Sequence, residues 1–149
     1  MRKKISLSML AILAVVLFVS VSSCKKDENA DAGNLPRIEF RTGTSSVAGK
    51  AYTAADASIY DLDTCVIGIK AWKAETPDVL KTFTIVRSES GVADTTILNQ
   101  TLTTAQQDTF YTEYYYVVPR PGNRKQTFKF SVINRDGLIG TKSLTVTTL

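Results

Sequence analysis

The chain has 149 residues, with 18 Lys and Arg against 14 Asp and Glu, two Cys and no His. Without His there is no Ser-His or Cys-His nucleophile pair and no imidazole zinc site. The formal charge of +4 gives no case for nucleic acid, because Arg2, Lys3 and Lys4 supply most of it and the remainder is close to neutral.

Those three cations open the chain. Residues 5–21 follow without a single charge, ISLSMLAILAVVLFVSV, and end at Val21-Ser22-Ser23-Cys24. A cationic start, an apolar core and small residues at the end are the parts of a secretory signal. The run is near the lower limit for a membrane span, so an uncleaved helix is the competing reading, and an ordinary signal with a chance Cys is another. Val21-Ser22-Ser23-Cys24 resembles a lipobox, with an apolar residue three before the cut, small residues next to it and Cys as the first mature residue. Val21 and Ser23 stand where Leu and Gly or Ala are the usual choices. The resemblance implies a thioether from Cys24 to a diacylglycerol, and incorporation of palmitate. One acyl chain binds a membrane only marginally, and two or three hold firmly. Lys25-Lys26-Asp27-Glu28 resembles the export signal of Bacteroidetes-type lipoproteins, a Lys followed by acids just behind the lipidated Cys. It implies an outer-membrane protein anchored by lipid and exposed at the cell surface. The plainer reading of these four residues is a charged, solvated tether.

Residues 1–23 are therefore expected to be a signal peptide, residues 24–35 a lipidated Cys with a flexible tether, and residues 36–149 a folded body. The tether is polar and aperiodic, and Pro36 closes it. In the body, Thr and β-branched or aromatic residues alternate in short runs split by turns. Arg37–Phe40 is a first strand. Residues 43–49 form a loop of small residues, and residues 50–52 a short edge strand. Residues 62–73 are the strongest strand, with Cys65, Ile67, Ile69 and Ala71 on one face. Residues 80–87 set Phe83 and Ile85 inward, and residues 95–102 give another strand. Residues 104–108 connect, with room for one helical turn. Residues 109–118 form a strand with Phe110, Tyr114, Tyr116 and Val118 on one side. Pro119 to Asn123 is a loop. Residues 127–134 put Phe128, Phe130 and Val132 on one face. Asp136-Gly137 is a hairpin turn, and residues 143–148 close the body with Leu144 and Val146 inward.

Seven to eight strands at even spacing predict an all-β, two-sheet sandwich. The rhythm, and the closing run from Phe128 to Gly137 followed by Ser143-Leu144-Thr145-Val146-Thr147, resemble the immunoglobulin-like modules of Bacteroidetes-type surface lipoproteins. The inter-sheet disulfide and the strand-C Trp of antibody domains are absent. An eight-stranded barrel is the alternative.

Chemistry is sparse. Cys65 sits in an apolar run with no adjacent cation, so it is expected to be a buried thiol rather than a reactive one. No phosphate-binding loop precedes a helix, and no cofactor is expected. Asp61 and Asp63 could form a calcium corner, or simply a polar start to a strand. Arg120, Arg124 and Lys125 read as a solvated hairpin end. Trp72, Tyr111 and Tyr115 take the outward parity, and flat rings on a sheet can stack on sugars or meet a protein. The expectation is a non-catalytic surface lipoprotein, not an enzyme, whose body binds a glycan or an envelope protein. A structural accessory without a ligand is the second reading, and a hydrolase with paired carboxylates the third.

Overall fold

A computed structural model describes residues 34–120 and 124–149. Within them lie eight strands: β1 (Arg37–Phe40), β2 (Ala57–Ile59), β3 (Thr64–Trp72), β4 (Leu80–Glu89), β5 (Val92–Thr101), β6 (Thr109–Val117), β7 (Lys125–Asn134) and β8 (Ile139–Thr148). The expected signal peptide, Cys24, the export signal at Lys25, Lys26, Asp27 and Glu28, nearly all of the tether, and Pro121, Gly122 and Asn123 lie outside the described residues. No helix among the described residues is long and apolar enough to cross a membrane.

The body is an all-β sandwich of the immunoglobulin-like kind. One sheet runs β1-β3-β6, and the other runs β2-β8-β7-β4-β5. Each sheet has one apolar face, and stacking the two buries both. From β3 come Cys65, Ile67, Ile69 and Ala71, and from β6 Phe110 and Tyr116; opposite them stand Phe83, Ile85, Phe128, Phe130, Val132, Leu144 and Val146. The parity expected for these strands holds at every one of these positions. Aromatic rings interlock across the gap: Tyr116 meets Phe128 at 4.8 Å between centroids, and Phe83 meets Phe110 at 5.0 Å.

Polar ties hold the ends. Asp78, in the β3–β4 connection, is buried. Its carboxylate accepts the Asn134 side-chain N–H at 2.7 Å and the Val79 backbone N–H at 2.7 Å. The Asn134 side-chain oxygen accepts the Leu138 N–H at 2.8 Å, which shapes the Asp136-Gly137 turn. At the opposite end the Arg124 guanidinium donates twice to Glu89, at 2.6 and 2.7 Å, and Gln126 donates to the same carboxylate at 2.7 Å. Arg124 is thus clasped between strands, not simply solvated. Its partner Glu89 is held below the usual carboxylate range, first by Arg124 and then by Gln126.

Three details depart from expectation. Residues 50–52 form no strand, only one bridge between Thr44 and Ala51. Ala57–Ile59 is a strand because it runs parallel to β8, with Ala57 opposite Val146. The last strand begins at Ile139, because its first residues pair with β7 as far as Ile133. Gly140 lies in that added stretch: a Cβ there would stand 2.0 Å from the Pro36 carbonyl oxygen, so only glycine lets the start of the body cross β8.

Candidate functional site

The outer face of the three-stranded sheet carries a cluster of polar and aromatic side chains. Alternation along β6 turns Tyr111, Glu113 and Tyr115 outward, since Phe110, Tyr114 and Tyr116 occupy the inner face. Opposite them on β3 stand Lys70, Gly68 and Val66 respectively. Residues 41–53 fold over this face. The segment is stitched down by backbone bonds from Arg41 N–H to the Gly68 carbonyl at 2.8 Å and from Thr53 N–H to the Val66 carbonyl at 2.8 Å.

Gly68 makes the covering possible. A Cβ at Gly68 would meet the Tyr52 ring at 2.8 Å and the Arg41 Cβ at 3.0 Å. With no side chain there, the ring lies against the strand and its hydroxyl reaches Glu113. The Glu113 carboxylate accepts hydrogen bonds from the hydroxyls of Tyr52 and Tyr115, and from Ser45 Oγ at 2.7 Å. Arg41 stands 3.6 Å away, and the Glu113 side chain is only 15% exposed. The same Ser45 oxygen accepts the backbone N–H of Ala48 at 3.0 Å, so one hydroxyl closes the turn and ties it to the sheet.

These donors set the acidity of the group. The Tyr115 hydroxyl, then Tyr52, then Ser45, with Arg41 as a lesser influence, hold the Glu113 carboxyl down from its ordinary 4.5 to about 2. The reciprocal effect raises the phenols: the bond to Glu113 pushes both Tyr52 and Tyr115 above the usual tyrosine value. Near neutrality the carboxylate is therefore a poor base and the phenols poor acids. A general acid–base pair needs the reverse, with affinities drawn toward the working pH. The same hydrogen bonds tie Ser45 and Tyr52, on residues 41–53, to the sheet.

A row of cations and rings flanks it. The Arg41 guanidinium lies 4.9 Å from the Tyr52 ring centroid and 5.8 Å from that of Tyr111. The Lys70 ammonium lies 4.7 Å from the Trp72 ring. Trp72, Tyr111 and Tyr115 thus share one face, as parity expects, but differ in surroundings. Tyr111 is 58% exposed and Tyr115 42%, while Trp72 is half-buried under Lys70. Two of the three rings are already engaged, Tyr115 by Glu113 and Trp72 by Lys70. Outward parity alone missed Glu113 as the centre. Its flanking tyrosines were the available signal, since a lone carboxylate amid aromatic residues needs donors nearby.

The other candidates resolve simply. Asp61 pairs with Arg120 at 3.0 Å and Asp63 pairs with Lys50, so each acid of the calcium corner faces a cation of the protein itself. Cys65 is a free, buried thiol, and burial raises its pKa above the ordinary value. An open cleft of about 390 Å³ is lined by Lys50, Thr53, Ser58, Tyr60 and Asp63, and its two charges are spent on each other.

No family model matches the chain, and neither does any curated protein. Its fold is similar to two solved structures of the superoxide reductase (neelaredoxin) from Ignicoccus hospitalis, one of them carrying a substitution. The substituted form matches with a TM-score of 0.51 at 6% identity, over 83% of this chain and 87% of that one. The other matches with a TM-score of 0.50 at 5% identity, over 83% of this chain and 89% of that one. At such identity the likeness shows the fold alone. It nonetheless corrects the functional expectation. The reading of a non-catalytic lipoprotein binding a glycan or a protein partner took a bare sandwich as a binding module, and this same architecture is the body of an enzyme. A metal-dependent redox centre does not fit the residues present. The chain has no His, and no group of three or more Cys, Asp or Glu among the described residues could hold a metal ion.

Proposed function

We propose that the chain is an exported lipoprotein, fixed to the outer membrane through acyl chains on Cys24, which carries its β-sandwich at the cell surface. One observation carries this reading: an uncharged run of residues 5–21 ends on Val21-Ser22-Ser23-Cys24. A thiol is the nucleophile that forms the thioether, and small residues before it let the peptide thread a narrow cleft. Lys25-Lys26-Asp27-Glu28 supplies the sorting signal that follows. Within the body, the Glu113 cluster fixes residues 41–53 against the sheet. Its chemistry supports that role, because every donor around the carboxylate is already directed at it.

The test is metabolic labelling. Cys24→Ala removes the only thiol at the cut and abolishes incorporation of labelled palmitate; a variant that is still labelled rules out lipidation at Cys24. Replacing Lys26, Asp27 and Glu28 by Ala moves the body to the inner side of the outer membrane, out of reach of protease added to intact cells. Unchanged shaving would leave the anchor standing and remove the export signal.

A further inference from the structure

A two-sheet sandwich has four edge strands, and each exposes a row of unpaired backbone groups that invites another strand. Here the edges are β1, β6, β2 and β5. Three of them are blunted. β1 has four residues and β2 three, too few to hold a partner. β5 has ten, but its pairing with β4 slips twice, between Ile85 and Val86 and between Arg87 and Glu89, and each slip leaves an extra residue on β5. Bulges of this kind twist an edge away from further pairing.

β6 is different. It has nine residues and pairs with β3 from Thr64–Val117 to Trp72–Thr109 without a single slip. It contains no Pro, no Lys and no Arg, and the carboxylate of its only acid, Glu113, is directed away from the edge backbone and toward Ser45, Tyr52, Tyr115 and Arg41. Val118 N–H bonds the Asp63 carbonyl, and the Val118 carbonyl accepts from Leu62 N–H, so the backbone of Val118 points toward β3. The two-residue period then turns the N–H and C=O of Thr109, Tyr111, Glu113, Tyr115 and Val117 away from β3. No backbone group among the described residues pairs with them. Three of the side chains at these positions are also large and exposed: Tyr111 at 58%, Tyr115 at 42% and Val117 at 59%.

We infer that the β6 edge pairs antiparallel with the β6 edge of a second copy of this chain, joining two three-stranded sheets into one of six strands. Register follows from charge and shape. Centring the two-fold axis on Glu113 would set two carboxylates face to face, and like charges directly opposite are destabilising. Moving the axis to Tyr114 instead places Glu113 opposite Tyr115 of the second copy, and Tyr111 opposite Val117 of the second copy. Four pairs then exchange backbone bonds, and the exposed rings are covered. The clamp at Glu113 fixes Tyr115 in advance, which lowers the entropy lost on pairing. This pairing does not depend on the lipid anchor.

Disulfide trapping tests the register in the full chain, dispersed in detergent and mildly oxidised. Tyr111→Cys combined with Val117→Cys sets two thiols opposite two others across the axis; within one chain the pair is about 20 Å apart and cannot bridge. The expected result is a covalent species of twice the chain mass. The combination of Tyr111→Cys with Tyr115→Cys, which reports the centred register, is expected to stay single. Tyr111→Pro removes one outward donor and spares the ladder to β3; sedimentation is expected to show about tenfold weaker association, as one lost pair of bonds implies. Absence of the double-mass species in the first variant overturns the inference. So does a crosslink to a species of another mass, which would assign the edge to a different partner, or a Tyr111→Pro chain that associates as before. If the proline variant does not fold, the trapping pair decides alone.

Discussion

On the inner face of the β3–β6 ribbon, Cys65, Ile67, Ile69 and Ala71 meet Phe110 and Tyr116 with no polar partner needed from β3. On the outer face of the same two strands, Glu113 gathers Ser45, Tyr52, Tyr115 and Arg41, and Gly68 leaves the space that Tyr52 fills. One surface is organised by area withdrawn from water, the other by a single carboxylate and the hydroxyls it collects. The contrast separates two kinds of specification. Apolar contact tolerates many partners of suitable volume, whereas a half-buried acid accepts only donors at defined positions.

Three changes probe that contrast, from deep to shallow. Phe128→Ala empties the space facing Tyr114 and Tyr116, whose rings stand 5.6 and 4.8 Å from it. Urea unfolding is expected to show a loss of about 3–5 kcal/mol. A loss under about 1 kcal/mol would mean that the inner face is not the main source of stability. Gly68→Ala drives a methyl into Tyr52 and Arg41, for a loss of about 1–3 kcal/mol and faster proteolysis within residues 41–53. If cleavage in that loop does not accelerate, the loop is not held through Gly68.

The third change reads the charge. Glu113 has its folded pKa lowered from 4.5 to about 2. A depressed carboxyl contributes stability that is complete above its unfolded pKa and is lost as pH falls toward the folded one. Thermal midpoints of the wild type should therefore decline between about pH 4.5 and pH 2 more steeply than those of Glu113→Gln. Asp63, lowered chiefly by Lys50, and Glu89, lowered chiefly by Arg124, slope the same way in both proteins. Only the difference between the two curves isolates Glu113, and parallel curves would remove it as the centre of the cluster.

The strands facing the core were readable because each buries one side. Residues 127–134 announce Phe128, Phe130 and Val132 by strict alternation, and all three are fully buried. β2 gave no such notice. Ala57, Ser58 and Ile59 are too few to show a readable alternation and become a strand by lying parallel to β8. The Glu113 cluster was hidden for a different reason. Ser45 and Glu113 are 68 positions apart, and no local pattern links a loop hydroxyl to a strand so far along the chain. Trp72, Tyr111 and Tyr115 were rightly placed on one face, but parity says nothing about whether a ring is free or already engaged. The body's role was least legible. A sandwich without His suggested a non-catalytic binder of a glycan or a protein, while a similar fold is that of a superoxide reductase.

The crossing of Pro36 over Gly140 has a mechanical meaning. Tension arriving along the backbone ahead of Asn34 reaches the four rungs that join β1 to β3, from Arg37–Trp72 to Phe40–Ile69. Bonds between strands lie across the strand direction. A pull along β1 therefore strains all four rungs together and does not peel them one by one. The close seat of Pro36 on Gly140 also presses the entry to β1 against β8, so the short strand is held at its start by a second strand besides β3.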